Sequence, residues 1–227
     1  MIVSIATPIK PTLFHTKFWS SSKPAYVLKG LGLTGKGGPI EIATITEQQL
    51  KEDPILTKLN PQKRLPFFYD PTKDLKLNES GGMIEYLLET YDTTNKLWPS
   101  PGEPTRAEFL KLLHFGPATA YHIGVPILFH YMAPEGTEAT PVKVLEEKKK
   151  QWHEVVAPTY EQALDQFGGP FLLGDKWTAV DVVAGYDLMT ISFAGCGKEM
   201  LDAHPKVNSY LEKISQCPLF KELYSAD

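Results

Sequence analysis

Apolar and polar positions alternate over the first third of the chain and predict short strands at residues 12–18, 39–45, 65–69 and 75–77. The last two flank the turn residues 70–74, which predicts a hairpin. Apolar residues three and four positions apart predict helices at residues 25–31, 48–59 and 80–91. The order β-α-β-α-β-β-α is typical of a small mixed sheet covered by helices.

The pattern changes after residue 92. Residues 93–103 are polar and contain two prolines and one glycine, which is typical of a linker. Beyond them the periodicity is helical throughout. It predicts helices at 105–132, with a kink or a break near Pro126, and at 142–167, 178–193 and 207–215. We therefore expect an α/β domain over residues 1–92 and an all-α domain over residues 104–227.

The start of the third of these helices carries a capping motif. Thr178 stands at the expected N-cap, and Asp181 lies three residues later, where its carboxylate can reach back to the Thr178 backbone N–H. This spacing explains Asp181 as a structural residue. A role as a catalytic acid is therefore not expected.

Composition excludes several classes of protein. The 227 residues are 42% hydrophobic and carry a net charge of -4, which argues against a nucleic-acid or acidic-membrane surface. Cys196 and Cys217 lie far apart, and the histidines lack acids at ligand spacing, so neither a disulfide framework nor a metal site is predicted. A signal peptide is not expected from the first residues, and no run approaches the ~18 apolar residues that span a bilayer. A cytoplasmic protein is expected, and the glycosylation sequon at Asn78 is taken as chance.

Three ordered motifs resemble those of the soluble glutathione transferases. The first is Asn60-Pro61-x-x-Arg64-Leu65-Pro66, followed by Asn78-Glu79-Ser80 and Tyr86-Leu87. The second is Phe171-Leu172-Leu173-Gly174-Asp175-x-x-Thr178-x-x-Asp181. The third runs from His204-Pro205-x-Val207 to Pro218-x-Phe220. The resemblance implies a thioredoxin-like α/β domain followed by an all-α helical domain.

The same resemblance implies a glutathione site on the first domain. Pro66 would follow a cis bond, and Leu65 would pair with the cysteinyl backbone of glutathione as an added strand does. Glu79 would bind the ammonium of the γ-glutamyl end and Ser80 its carboxylate, while Arg64 would meet the glycyl carboxylate. The structural alternatives are a helix cap for Ser80, a first-turn acid for Glu79 and a surface cation for Arg64.

Two residues depart from the family pattern. Lys63 stands where the family usually has glycine, which leaves open the shape of the loop before Pro66 and therefore which basic residue meets the glycyl carboxylate. Gly82 stands where the family usually has alanine, which lowers the helix propensity of the segment from residue 80 onward.

Members of the family stabilise the glutathione thiolate with a hydroxyl or thiol just after the first strand. The segment here is Phe18-Trp19-Ser20-Ser21-Ser22-Lys23-Pro24, which contains no tyrosine or cysteine. A serine-type enzyme is therefore favoured. Ser20 is the first candidate, and Ser21 and Ser22 stay open. The alternative is that all three serines are turn and N-cap residues.

Taken together, the residues and the resemblance predict a glutathione transferase that uses glutathione as co-substrate and needs no metal. We expect a homodimer that conjugates a hydrophobic electrophile, an activity typical of detoxification. A glutathione-dependent isomerase or peroxidase is one alternative. A non-catalytic binding or assembly module on the same fold is another.

Overall fold

The computed structural model describes residues 4–134 and 140–224, and the side chains of these up to Lys221. The chain divides into two compact units, of which the first ends at Leu97 and the second begins at Trp98. The predicted end of the long helix between residues 134 and 141 falls partly on residues 135–139, which lie outside the described residues.

A four-stranded sheet organises the first unit, in the order β2-β1-β3-β4. Its strands are β1 (Thr12–His15), β2 (Glu41–Thr44), β3 (Phe67–Asp70) and β4 (Leu75–Leu77). β1 pairs parallel with β2 and antiparallel with β3, and β3 and β4 form the predicted hairpin. Every strand is shorter than or equal to its predicted span. In particular, β3 begins only after Pro66, which has no N–H to give to a ladder.

Four helices cover the two faces of this sheet: α1 (Ser22–Gly30), α2 (Glu47–Glu52), α3 (Pro54–Leu59) and α4 (Ser80–Tyr91). Successive strand residues point to opposite faces. Leu13 and Phe68 therefore pack with residues of α1 and α4, whereas Phe14 and Phe67 pack with residues of α2 and α3. This is the thioredoxin-like arrangement that the resemblance implies.

The single helix predicted at residues 48–59 is in fact two helices. The backbone of Asp53 is extended because it precedes Pro54, and this ends α2. The Asp53 carboxylate then caps α3 by accepting the N–H groups of Ile55 and Leu56, each at 2.9 Å. The periodicity of apolar residues continues across this break, so it gave no sign of it.

The second unit is all helical. Its helices are α5 (Arg106–Phe115), α6 (Tyr121–Met132), α7 (Val142–Gln151), α8 (Ala157–Phe167), α9 (Ala179–Ser192), α10 (Gly197–Asp202), α11 (Pro205–Gln216) and α12 (Pro218–Tyr224). All residues of α9 from Ala179 to Ile191 are buried. This helix is central because α5, α6, α10 and α11 pack against it. The sequence predicted neither α10 nor α12, which have only six and seven residues.

Of the predicted kink or break near Pro126, the break is wrong, because α6 is continuous through this proline. The departure from α-helical geometry is instead a π-helical turn at Gly116–Ala120, between α5 and α6. Here α9 approaches closely, since a Cβ on Gly116 would lie 2.1 Å from Cγ1 of Val183. A second π turn, Trp152–Val156, divides the predicted helix 142–167 into α7 and α8.

The capping box at the start of α9 forms as predicted. Asp181 is fully buried, and its Oδ2 accepts the Thr178 N–H at 2.7 Å. Its Oδ1 accepts the Leu172 N–H at 3.0 Å and the Tyr210 hydroxyl at 2.8 Å. Burial raises the pKa of Asp181, and these hydrogen bonds counteract that effect. One carboxylate therefore joins α9, α11 and the loop before α9.

We expect Asp181→Ala to lower the free energy of unfolding by ~3 kcal/mol, more than an isolated cap is worth, because it leaves several buried donors without an acceptor. Chemical denaturation followed by circular dichroism measures this loss. Asp175→Ala, which removes an exposed acid from the same loop, is the matched control. Equal stability of the two variants would contradict the structural role of Asp181.

Candidate functional site

The segment around Pro66 leaves one residue's backbone outside the sheet. The Leu65–Pro66 peptide bond is cis, as the resemblance implies. Pro66 is buried, and the half-buried Leu65 side chain packs against the apolar cluster beneath α2 and α3. Because β3 begins at Phe67, the Leu65 backbone takes no part in the ladder. This position suits the added-strand pairing expected of Leu65.

Ser20 lies beside this backbone. It is half-buried in the loop between β1 and α1, and its Oγ donates a hydrogen bond to the Leu65 carbonyl at 3.2 Å. Two aromatic side chains precede it, Phe18 and Trp19, with exposed fractions of 52% and 38%. Phe18 adopts a left-handed backbone conformation with φ +63°, which is unusual for a bulky residue. The structure thus brings together the hydroxyl and the backbone that the sequence predicted as site components.

Ser21 is fully buried, and internal contacts hold its hydroxyl. It accepts the Thr16 N–H at 3.2 Å and donates to the Thr16 carbonyl at 3.3 Å. Its Oγ also lies 3.0 Å from Nδ1 of His15. These contacts tie the start of α1 to the end of β1. Ser22, the first residue of α1, is likewise buried.

His15 is buried at the end of β1. Loss of hydration is the main cause that lowers its pKa to about 4, and the positive charge of Lys29 adds to the effect. The ring is therefore neutral at pH 7. In that state one protonated and one bare ring nitrogen are available, which suits its contact with the Ser21 hydroxyl.

Glu79 and Ser80 stand at the N-terminus of α4. Glu79 is exposed and occupies the N-cap position with φ +66°, while Ser80 is buried as the first helical residue. Backbone N–H groups at a helix start favour an anion. Residues held at positive φ often belong to binding sites. Arg64 is exposed and directly precedes Leu65.

The two departures from the family pattern have simple geometries. Lys63 adopts φ +51°, the region that glycine occupies most readily, and its Nζ donates to the Lys51 carbonyl at 2.6 Å. The loop thus keeps a glycine-like shape with a lysine in place. A Cβ on Gly82 would meet nothing within 4 Å, so the helix has room for an alanine there.

Two asparagine side chains donate hydrogen bonds to the backbone on either side of Leu65, a role that the sequence alone did not reveal. Asn60 is buried, and its Nδ2 donates to the Arg64 carbonyl at 2.8 Å. Asn78 donates from Nδ2 to the Pro66 carbonyl at 3.2 Å and lies 3.4 Å from the Arg64 carbonyl. The sequence showed Asn78 in a glycosylation sequon and in the first motif, without a role of its own. A signal was present nonetheless, since both asparagines stand within the motifs that contain Pro66 and Ser80.

Within residues 4–134 and 140–224, no group of three or more His, Cys, Asp and Glu side chains could hold a metal ion. Over the same residues, no helix combines the length and the apolar character that a bilayer span requires.

Two family models match the chain. The model described as "Glutathione S-transferase, N-terminal domain" matches residues 21–96, and the model described as "Glutathione S-transferase, C-terminal domain" matches residues 129–226. Among curated proteins, the chain is 31% identical to the "Glutathione S-transferase-like protein gedE" of Aspergillus terreus, over 75% of this chain and 76% of that protein. It is 27% identical to the "Glutathione S-transferase-like protein OpS6" of Beauveria bassiana, over 92% and 91%.

Solved structures share the fold. Glutathione transferase F7 from Populus trichocarpa superposes with a TM-score of 0.76 at 19% identity, covering 94% of this chain and 97% of that one. The glutathione transferase URE2P6 from Phanerochaete chrysosporium, solved in complex with oxidized glutathione, gives 0.74 at 22% identity, covering 95% and 94%.

The low pKa of His15 predicts a pH-dependent stability. The pKa in the folded state, about 4, lies below the ordinary value of 6.5, so protonation of His15 favours the unfolded state. The contribution of neutral His15 to the free energy of unfolding is therefore complete above pH 6.5. This contribution declines as the pH falls from 6.5 to 4, by an amount on the order of 3 kcal/mol. Denaturation of wild type and His15→Gln across this range measures it.

The variant should lose less stability on acidification than wild type does. His122→Gln, which replaces an exposed histidine, is the control and should behave as wild type. Parallel stability curves for wild type and His15→Gln would show that His15 is not held neutral by the fold.

Proposed function

The chain belongs to the glutathione S-transferase family, and we propose that it binds glutathione on its first unit and transfers the thiolate to a hydrophobic electrophile. One observation carries the proposal. The Ser20 hydroxyl donates to the carbonyl of Leu65 at 3.2 Å, and the Leu65 backbone lies outside the strand ladder, directly before Pro66. A peptide paired with that backbone would bring its cysteinyl sulfur close to a hydroxyl donor.

Each end of glutathione has a matching group on the same unit. The Leu65 N–H and C=O would pair with the cysteinyl backbone, as in strand addition. Glu79, exposed at the N-cap of α4, would pair with the γ-glutamyl ammonium. Ser80 and the N–H groups at the start of α4 would bind the adjoining carboxylate. Arg64, which is exposed and directly precedes Leu65, would pair with the glycyl carboxylate.

The chemistry requires a thiolate. A free thiol has a pKa of about 8.5, so most of it is protonated at pH 7. A hydrogen bond from the Ser20 hydroxyl to sulfur would favour the anion and lower that pKa. The thiolate would then form a sulfur–carbon bond to the electrophile, and the displaced group would leave with its electron pair. The proposed reaction steps use no metal ion.

Among the three serines, geometry supports Ser20 as the donor. Ser20 is half-buried beside Leu65, whereas Ser21 is buried with its single proton given to the Thr16 carbonyl. Ser22 is buried in the first turn of α1. Redirecting the Ser21 hydroxyl toward a ligand would break the contacts that join α1 to β1. Ser20 has one contact to exchange.

Two features of the proposal rest on membership of the family alone. They are the homodimer and the hydrophobic small-molecule electrophile. Isomerisation or peroxide reduction would use the same activated thiolate. A binding module would keep the Leu65, Glu79 and Ser80 contacts and show no turnover.

Binding and turnover test the proposal separately. We expect the protein to be retained on immobilised glutathione, to be released by free glutathione and to conjugate 1-chloro-2,4-dinitrobenzene. Binding without conjugation of this or other electrophiles would support the module. Absence of binding by a protein with a native circular dichroism spectrum would overturn the proposed function.

We expect Ser20→Ala to shift the pH–rate profile of conjugation to higher pH, because the thiol loses its hydrogen-bond donor. The rate at neutral pH should fall by ~10²-fold, as is common when one donor to an anion is removed. Glutathione affinity, measured by calorimetry, should change little. Ser22→Ala is the control and should leave the profile in place. A shift seen with Ser22→Ala or Ser21→Ala instead would assign the donor to that serine.

A further inference from the structure

We propose that Asn60 and Asn78 are positioning residues whose side-chain amides aim the Leu65 backbone at the peptide ligand and tie it to the start of α4. The inference rests on the proposed function, since it concerns how the glutathione site is held. Neither side chain is assigned to contact glutathione or its sulfur. Their effect would be exerted through the backbone of residues 64–66.

Three successive backbone carbonyls, those of residues 64–66, each accept a hydrogen bond from a side chain. The carbonyls of Arg64 and Pro66 both accept hydrogen bonds from the asparagine amides. The carbonyl between them, on Leu65, accepts instead from Ser20. These hydrogen bonds together restrain the backbone of residues 64–66, with the outer carbonyls held by the asparagines and the Leu65 carbonyl held by Ser20.

The hydrogen bonds from Asn60 and Asn78 to the carbonyls of Arg64 and Pro66 form a clamp. Asn60 is held rigidly within it. Its exposed fraction is 1%. Its own N–H donates to the Leu56 carbonyl at 2.7 Å, and its carbonyl accepts the Lys63 N–H at 3.0 Å. The side chain thus extends from a backbone fixed at the end of α3. A buried amide whose donor is engaged has little freedom to move, because an unsatisfied polar group is costly inside a protein.

Asn78 links the two halves of the site. Its Nδ2 contacts the Pro66 carbonyl at 3.2 Å, the Arg64 carbonyl at 3.4 Å and Oδ1 of Asn60 at 3.5 Å. In sequence it directly precedes Glu79 and Ser80. The same residue therefore sets where the cysteinyl-binding backbone lies relative to the helix start that would bind the γ-glutamyl end. A ligand that spans both needs that separation to be constant.

A carboxylate of the same shape in place of the Asn78 amide would repel the carbonyls that the amide now attracts. Asn78→Asp places an oxygen, which cannot donate, against the Pro66 and Arg64 carbonyls. Asn78→Ala removes the donor without adding charge. Both changes release the segment from one side, so each should weaken glutathione binding by about tenfold, the effect of one or two lost hydrogen bonds. Once glutathione is bound, kcat should stay within about twofold because the sulfur and Ser20 are untouched.

The test measures glutathione affinity by calorimetry, and KM and kcat for glutathione in conjugation, on wild type, Asn78→Asp, Asn78→Ala and Asn95→Asp. Asn95 is exposed and lies in the same unit, so Asn95→Asp makes the same change of charge away from the clamp. We expect the control to match wild type and both Asn78 variants to show a raised KM with little change in kcat. Asn78 is half-buried, so we expect its variants to lower the stability of the fold less than variants of the buried Asn60 would.

Three results would overturn the inference. Wild-type affinity in both Asn78 variants would show that the clamp does not position the ligand. Weakening by Asn78→Asp alone would assign the effect to charge. A fall in kcat as large as the rise in KM would place Asn78 in the chemistry or in general folding. If wild type itself does not bind glutathione, the proposed function fails and the inference with it, which the wild-type titration reveals before any variant is compared.

Discussion

Pro66 has no backbone N–H, and the arrangement of the first unit follows from that constraint. A ladder through this position would lack a donor, so β3 begins one residue later and the Leu65 backbone is left outside the sheet. The groups nearby compensate for this gap. Ser20 donates to the Leu65 carbonyl, and two asparagine amides donate to the carbonyls on either side. A local defect in strand pairing thus becomes a fixed row of backbone groups beside a hydroxyl.

Unusual backbone conformations cluster around the same row. Five residues other than glycine have positive φ in the part of the chain that the structure describes. Three of them, Phe18, Lys63 and Glu79, stand in the three segments that meet at the candidate site. Such conformations persist only where surrounding contacts impose them, and binding sites are where they are commonly found. Asp53, which caps α3, and Asn60, which ends it, supply part of that support.

The second unit solves a different problem with a similar device. Helix α9 is buried along nearly its whole length, so its first backbone N–H groups have no access to water. The Asp181 carboxylate accepts from the α9 cap, the preceding loop and a tyrosine of α11 at once. Burial raises the pKa of Asp181, and the hydrogen bonds from these donors counteract that effect. In both units a buried polar side chain fixes a backbone segment.

By itself, the sequence determined an α/β domain followed by an all-α domain, the succession of the four strands along the chain and the capping box at Thr178 and Asp181. These depend on local spacing, which periodicity and turn residues report directly. The segments of the candidate site came instead from the resemblance of three motifs to the glutathione transferases. Tertiary structure alone decided that helix 48–59 is two helices, that π turns divide the long helices and that Pro126 leaves α6 unbroken. It also distinguished Ser20 from Ser21 by their surroundings and revealed the contacts of Asn60 and Asn78. The physical reason is that a hydrogen bond between residues 45 or 18 positions apart leaves no periodic trace in the chain.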